Sequence, residues 1–546
     1  MSRFTKNLYA TGETSAASFI TGPPTAPVTT TWTEVHRAAR RVAGGLREAG
    51  IEPGDVIAVL MQAPSQVAPL IQGIWMLRAT VTMLQQPTPR TDMDSWSADT
   101  ARACRMVGAR FVLVDGDFAH LAEALNSHGI ATQSAAELAD CEPVEPVDGD
   151  ESDIALLQLS SGSTSFPKGI AISHENLHAN IQANVAAFGL APSRDVIVSW
   201  LPLFHDMGMI VFFTLPMQLG YPLVKATPRE FMASPDLWPR LLAAHRGTMT
   251  AAPNFAYDIL ARTFEKSSDG LFDLSALRVV VNGAEPVDPR TMRRLADAGQ
   301  RFGLDPGCLL PCYGLAEATL SVALSRPGEG MVTDRIDPLE LEHNLVAVPS
   351  EADGHREIAT VGRVVDGLEC RVVDRDGQAL PGRHVGNLQV RGSSITNFYL
   401  TVDGKMPAND SSGWLDTGDR AYFTPEDRLV ICGRSKDIII VGGRNIYPVD
   451  VERQLAGIEG VRPGGAAAVS LGSDGFGILI ESHEASDAAV RTRIESEVRT
   501  VILRAVDARP KAVRVVMPGT LPKTSSGKLR RAEAAGLFAS DSRPGR

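Results

Sequence analysis

Leu159-Ser-Ser-Gly-Ser-Thr-Ser-Phe-Pro-Lys-Gly169 follows a short apolar run, Ile154 to Leu159. The run predicts a buried strand entering a polar loop. Beyond the loop, Leu177, Ile181, Val185 and Phe188 recur on one helical face, with Ser173 placed to cap that helix. Small hydroxyl residues and glycine after a strand offer N–H and O–H groups to phosphate oxygens, and Lys168 adds a charge. The spacing GxxxxGK[ST] is absent, so this is not a Walker A loop. Read alone, the cluster is also ordinary turn material. A second strand-like run, Leu277 to Val281, stops at Asn282-Gly-Ala-Glu-Pro286. Such runs alternate with helical patterns along the chain, which predicts α/β layers.

A length of 546 residues exceeds one ordinary compact domain and predicts at least two. Hydrophobic residues at 44% and charged residues at 21% give the balance of a soluble globular protein. A net charge of −11 argues against nucleic acid as a partner, because phosphate-backbone binding needs a concentrated basic face. A nucleotide stays open, since a few local groups hold a small anion. The six cysteines show no paired CxxC spacing, so neither a zinc site nor a disulfide framework is expected. The first residues lack the apolar core of a signal peptide. The most apolar stretch, Met209 to Leu223, is broken by Pro216, Gly220 and Pro222 and is too short for a membrane span. A cytoplasmic protein without a transmembrane segment is expected.

The acidic, proline-containing stretch 141–153 reads as a surface connection. A domain boundary is expected near Gly433, giving a large N-terminal domain over 1–433 and a small C-terminal domain over 434–546.

Three further segments carry candidate chemistry. In Pro311-Cys-Tyr-Gly-Leu-Ala-Glu-Ala-Thr319, a carboxylate just beyond a tight Tyr313-Gly314 turn can face a pocket and hold magnesium, which keeps most of its waters. It also reads as a solvated surface glutamate. In Gly413-Trp-Leu-Asp-Thr-Gly-Asp419 and the later Gly433-Arg434-Ser-Lys436-Asp437, Asp419 can accept hydrogen bonds from ribose hydroxyls and Arg434 can add a cationic contact. The same residues are common turn formers. In Leu521-Pro-Lys-Thr-Ser-Ser-Gly-Lys-Leu-Arg-Arg531, Lys528 sits on a Gly/Ser loop mobile enough to enter and leave an active site. Alone it is equally a solvated lysine in a basic tail.

In order and spacing, these four segments resemble the adenylate-forming superfamily of acyl-CoA synthetases, peptide-synthetase adenylation domains and luciferases, over nearly the whole chain. Ser199-Trp-Leu-Pro-Leu-Phe-His-Asp-Met-Gly208, Ala251-Ala-Pro-Asn-Phe-Ala-Tyr257 and Asn282-Gly-Ala-Glu-Pro286 resemble its fatty acyl-AMP ligase branch. The resemblance implies a large N-terminal α/β domain and a small, mobile C-terminal α+β domain. It implies ATP and Mg2+ as cofactors. It also implies a fatty acid substrate and a phosphopantetheinylated acyl carrier protein of a polyketide or nonribosomal peptide type pathway as acceptor.

Residue by residue, Ser161, Gly162, Ser163, Thr164 and Lys168 would serve the phosphates. Gly283, Ala284, Glu285, Tyr313 and Gly314 would form the adenine slot, and Asp419 and Arg434 would hold the ribose. Glu317 would ligate magnesium, Lys436 would be the hinge, and Lys528 the catalytic lysine. His205 would guard the acyl-carboxylate site, and Asn254, Phe255 and Tyr257 would wall the nucleotide or acyl pocket. Ala316 and Lys436 depart from the threonine and aspartate common in CoA synthetases, and both departures suit the acyl-AMP ligase branch.

Between Glu317 and Gly362 lie 44 residues, a longer connection than in CoA synthetases. The resemblance implies that an excursion over about 328–358 is the branch's insertion, docking through Ile336, Leu339, Leu341 and Leu345 and restraining the small domain; read alone, it is also a decorative surface loop. Three rivals follow. One is a fatty acyl-CoA synthetase. A second is an amino-acid adenylation domain, for which Asp258 is the one candidate amine partner. The third is a non-catalytic protein that binds acyl-adenylate.

Overall fold

The computed structural model describes residues 1–88, 91–160, 167–472, 475–523 and 528–539. It divides into two compact units. The first comprises Met1–Val332, Val361–Cys370 and Val390–Leu415, and the second Thr333–Thr360, Arg371–Gln389 and Asp416–Arg546. The expected boundary after residue 433 therefore falls inside the second unit, because the chain crosses between the units several times.

The first unit is built on two large sheets. In one, Phe398–Thr401 pairs with Lys168–Ser173, then come Ile154–Ser160, Thr80–Met83, Val56–Leu60 and Ala109–Val114. The predicted strand is thus Ile154–Ser160, buried in its middle, and it turns back antiparallel as Lys168–Ser173 in the register Ser160↔Lys168. The helix that follows spans His174–Phe188, and Ser173 and Asn176 cap it reciprocally. Leu177, Ile181 and Phe188 are buried as their spacing requires, whereas Val185 is only half-buried.

The other sheet places Leu309–Gly314, Val279–Asn282, Met249–Ala252, Ile197–Ser199 and Leu223–Lys225 side by side and parallel. Parallel strands buried on both faces need continuous apolar runs, and Val279–Val281 and Leu309–Leu310 supply them. In such sheets ligands bind beyond the carboxyl ends of the strands. The segments starting at Ser199, Ala252, Asn282 and Pro311 all leave from that edge. Met209 to Phe213, the start of the most apolar stretch, is buried in this unit. No helix among the described residues is long and apolar enough to cross a membrane.

The second unit contains the antiparallel pair Leu415–Phe423 and Leu429–Arg434. It also contains a three-stranded sheet of Ala466–Ser470, Phe476–Glu481 and Ala512–Val516, packed with helices Pro448–Leu455, Ala488–Val506 and Arg531–Ala539. The expected insertion is a folded motif here. Thr333–Ile336 pairs antiparallel with Arg356–Ala359 around the short helix Pro338–Asn344. Ile336 and Leu341 enter a core with Ala347, Tyr422, Val430 and Tyr447, and Leu345 packs against its rim. Leu339, expected on the same face, is 56% exposed, because its place in the helix turns it away from that core. Glu342 pairs with Arg444 at 2.6 Å, Asn445 Nδ2 donates to the Glu342 carbonyl at 3.0 Å, and the Arg356 guanidinium lies over the Tyr447 ring. The excursion is thereby tied to residues 430–450 by apolar packing, charge and hydrogen bonds.

Candidate active site

The turn that carries Glu317 is tightly constrained. Strand Leu309–Gly314 ends at Gly314, where an added Cβ would lie 2.0 Å from the Leu320 carbonyl oxygen, so only glycine fits. A single 3-10 turn over Ala316–Ala318 follows, and it closes on Thr319 with φ 68° and ψ −57°. Buried threonine in that region is strained by a kcal/mol or more, roughly, and such strain collects where function demands a geometry. Four hydrogen bonds hold it. The Thr319 hydroxyl donates to the Ser394 carbonyl at 2.7 Å, and the Thr396 amide donates to the Glu317 carbonyl at 2.8 Å. Asn180 Nδ2 donates to the carbonyls of Ala318 and Ser321 at 3.2 and 3.0 Å.

Tyr399, which the sequence reading did not single out, stands beside this turn. The Lys168 ammonium lies 4.7 Å from its ring centroid. Burial, with the Glu317 charge adding to it, pushes its phenol pKa well up. Lys168 at the loop's rim and Glu317 are thus neighbours of one aromatic ring. Ser161, Gly162, Ser163 and Thr164 lie outside the described residues.

The Asn282–Pro286 segment is wired to the start of helix Asn254–Lys266. Asn254 Oδ1 accepts from Asn282 Nδ2 at 3.1 Å and from the Asp288 amide at 3.0 Å. Glu285 Oε1 accepts the Phe255 amide at 2.7 Å, a carboxylate at a helix N-terminus where its charge is favoured. Gly283 approaches Cys312 so closely that a Cβ would lie 2.4 Å from its sulfur, and Ala284 has φ 68°. Tyr313 occupies the facing strand, half-buried. Phe255 is 38% exposed, whereas Tyr257 is fully buried with its hydroxyl donated to the Val281 carbonyl at 2.7 Å. Tyr257 is therefore part of the core beneath the segment.

His205 caps a short turn, Asp206–Met209, and its Nδ1 lies 2.6 Å from Asp206 Oδ1. Two residues missed in the sequence fix this stretch. Gln158 Nε2, on the strand before the Ser/Gly loop, donates to the Phe204 carbonyl at 2.7 Å. Lys225 Nζ, wholly buried, donates to Ser199 Oγ at 3.2 Å and to the Leu201 carbonyl. Burial brings its pKa down to about 7. Lysine at a strand's end was legible only as a surface charge, so no sequence signal pointed to it.

In the second unit, Asp419 and Arg434 face each other in register on adjacent strands, and Arg434 Nε lies 2.9 Å from Asp419 Oδ1. Asp419 is 4% exposed and Arg434 half exposed. The guanidinium thus orients one oxygen of a nearly buried carboxylate. Lys436 occupies the 3-10 turn Ser435–Asp437, and burial lowers its pKa while Asp437 opposes that. Lys523 and Leu529 pair as an antiparallel bridge, and Lys528 immediately precedes Leu529.

Among the described residues, no group of three or more His, Cys, Asp or Glu could hold a metal. A lone Glu317 nonetheless suits magnesium, which takes one or two carboxylates and fills the rest with waters and substrate phosphate oxygens. All six cysteines are free thiols.

The profile of AMP-binding enzymes matches residues 4–400. A Mycobacterium tuberculosis protein named provisionally as a ligase, Rv1013, is 45% identical over 98% of this chain and 100% of its own length. The long-chain-fatty-acid–AMP ligase FadD26 of Mycobacterium marinum is 31% identical over 94% of this chain and 92% of its own. A structure from work on fatty acyl-adenylate ligases of E. coli and L. pneumophila superposes with a TM-score of 0.90 at 26% identity, covering 99% of this chain and 98% of that one. With the fold, the Glu317 turn and the Asp419–Arg434 pair in place, the chain belongs to the AMP-binding enzymes, the adenylate-forming superfamily.

Proposed function

We propose that this enzyme activates a medium- or long-chain fatty acid with ATP to acyl-AMP and pyrophosphate, and then passes the acyl group to the thiol of a phosphopantetheinylated carrier protein in the cytoplasm. Full-length kinship to a named fatty-acid–AMP ligase supports the first step. The observation that carries the choice of acceptor is the folded insertion, anchored to residues 430–450 through Glu342–Arg444 and the core around Leu341.

The chemistry joins two anions, so the barrier lies in repulsion and orientation. The carboxylate is already ionised at neutral pH and needs no base. One of its oxygens attacks the α-phosphorus in line, and the bond to the β-phosphate oxygen breaks. Lys528 meets the charge that develops between carboxylate and α-phosphate. Glu317 would hold magnesium, which when bound neutralises phosphate charge. Asp419, oriented by Arg434, accepts the ribose hydroxyls. Gly283, Ala284, Glu285, Tyr313 and Gly314 form the slot for the base, and Lys168 lies at the phosphate rim. A turn about Lys436 then withdraws Lys528 and admits the carrier thiol, whose sulfur takes the acyl carbon as AMP leaves. Free CoA lacks the binding energy of a docked carrier. A bias of about 3 kcal/mol against the thiolation pose keeps under about one per cent of the enzyme competent for CoA.

The test is mass spectrometry of products from a fatty acid panel with ATP, with CoA or holo carrier protein added. Acyl-AMP with carrier and little acyl-CoA without it is the expected pattern. Acyl-CoA formed as fast as acyl-AMP would place the enzyme with the CoA synthetases, and no pyrophosphate release at all would make it a binding protein. Deleting 333–355 removes Ile336, Leu341 and Ala347 from a core, so Arg444→Met is the gentler probe of the anchor, expected to raise acyl-CoA output while adenylation persists.

A further inference from the structure

The loop that carries Lys528 is held on both sides by acids. On the entry side Glu481, 1% exposed, accepts the amides of Gly519 and Leu521 at 2.7 and 3.1 Å and pairs with Arg462 at 2.6 Å. The Arg530 amide donates to the Pro522 carbonyl at 2.9 Å and closes the base of the loop. On the exit side stands Arg531, first residue of helix Arg531–Ala539. Its Nη2 donates to both oxygens of Glu452, at 2.8 and 2.7 Å, and its Nη1 lies 3.6 Å from Asp437 Oδ2. Glu452, on helix Pro448–Leu455, also accepts the Ala468 amide at 3.0 Å. One guanidinium therefore connects the lysine loop to the helix, to the sheet, and to the acid next to Lys436.

Arginine suits this task because its planar fork engages one carboxylate with two contacts while a separate nitrogen reaches a second acid. Glu452 and Arg531 are each 18% exposed in their side chains, so neither charge is offset well by water. A pair at this depth is a poor general stabiliser, yet it fixes register firmly, because pulling one partner away leaves the other unpaired. Three residues of chain span at most about 10 Å, so a shift of the Arg531 anchor passes directly to Lys528.

We propose that Arg531 is a positioning residue that holds Lys528 in its adenylation geometry by clasping Glu452 and the hinge-side acid Asp437. The proposal rests on the reading of Lys528 as the catalytic lysine. Asp437 belongs to the segment whose dihedral change swings the small domain. Asp437, Glu452 and Arg531 all lie on the C-terminal side of Lys436 in the second unit, so the clasp travels with Lys528 when the small domain turns.

The experiment uses the full-length enzyme with Arg531→Gln, Arg531→Lys and Asp437→Asn, each alone and with Lys528→Ala. Pyrophosphate release with fatty acid and ATP gives kcat and KM, and thermal melts report folding. Arg531→Gln should lower kcat by on the order of 10- to 100-fold, the scale of a 1 Å misplacement, with the KM for ATP little changed. Arg531→Lys should recover part of the loss, and Asp437→Asn should show a smaller loss of the same kind. In the Lys528→Ala background, Arg531→Gln should change the residual rate by less than about twofold, since a residue acting through Lys528 has nothing left to position. An equal fold loss with and without Lys528 would reduce Arg531 to scaffold, and an unchanged kcat in Arg531→Gln would overturn the proposal outright. Should Arg531→Gln fail to fold, the same comparison with Asp437→Asn decides. If Lys528→Ala is itself fully active, the catalytic reading falls and the proposal with it. If Lys528→Ala is inactive and Arg531→Gln harmless, only the proposal falls.

Discussion

Two segments of this protein carry a charged side chain that the proposed mechanism uses, and they are held on opposite principles. The Glu317 turn is held by neutral hydrogen bonds from Asn180, Thr319 and Thr396 to backbone, by a glycine that admits no side chain, and by a strained threonine. The Lys528 loop is held by charge, through Glu481 with Arg462 and Arg531 with Glu452 and Asp437. Neutral networks to backbone have one good geometry and little response to ionic conditions, which suits the fixed role proposed for Glu317. Ion pairs between segments distant in sequence are lost as units when one partner is removed, which suits the positioning role proposed here for Arg531.

The sharpest way to break this contrast is at the charged loop. Glu481→Ala leaves Arg462 and two amides without their acceptor and should destabilise the enzyme by about 3–5 kcal/mol. Chemical denaturation measures it. A loss below 1 kcal/mol, roughly the level of an exposed pair, would mean the loop is not held by charge. Lys528→Ala should leave the fold intact and cost about 3–4 kcal/mol in the barrier to pyrophosphate release, the scale of one lost electrostatic donor. Calorimetric ATP affinity should move far less. Near-normal turnover would remove this lysine from the mechanism.

A pH titration separates the two regions further. His174, at the start of the helix that carries Asn176 and Asn180, is 1% exposed, and burial lowers its pKa from 6.5 to about 4. A group that binds its proton more weakly when folded supports the fold above its free pKa, and that support is lost as pH falls. Stability from His174 should therefore decline between pH 6.5 and about 4, by about 3 kcal/mol in total. His174→Gln should flatten that part of the profile. A mutant profile parallel to wild type would assign the acid sensitivity elsewhere. The smallest effect belongs to the neutral network itself. Asn180→Ala should cost about 2 kcal/mol by orphaning buried backbone groups, and should raise the magnesium requirement by loosening the turn at Glu317. Unchanged magnesium dependence at full stability loss would show that the network supports the fold but not the site.

Much of this was legible along the chain. The strand into the Ser/Gly loop, the Ser173 cap and the run into Asn282–Pro286 follow from period, cap and spacing, which act over a few residues. Asn176, Asn180 and Asn184 were not read as important. On a helix with Leu177 and Ile181 buried, an asparagine stripe resembles a solvent face. It is buried because carbonyls from 318, 321, 393 and 395 arrive over it, more than a hundred residues away in sequence. Leu339 failed in the other direction, an apolar residue in the right segment whose exposure depends on where a single helical turn is seated.

The linear order of motifs, by itself, determined the family and its ATP-dependent adenylating chemistry, because those need particular side chains at particular separations and nothing else. Tertiary structure alone decided what orients them: Tyr399 beside Lys168 and Glu317, Lys225 under the His205 turn, Arg444 against the insertion, and Arg531 between Glu452 and Asp437. Each is a long-range juxtaposition of a common residue type. Its cost or benefit is set by burial and by partners that only the folded chain brings within reach, and no local pattern records either.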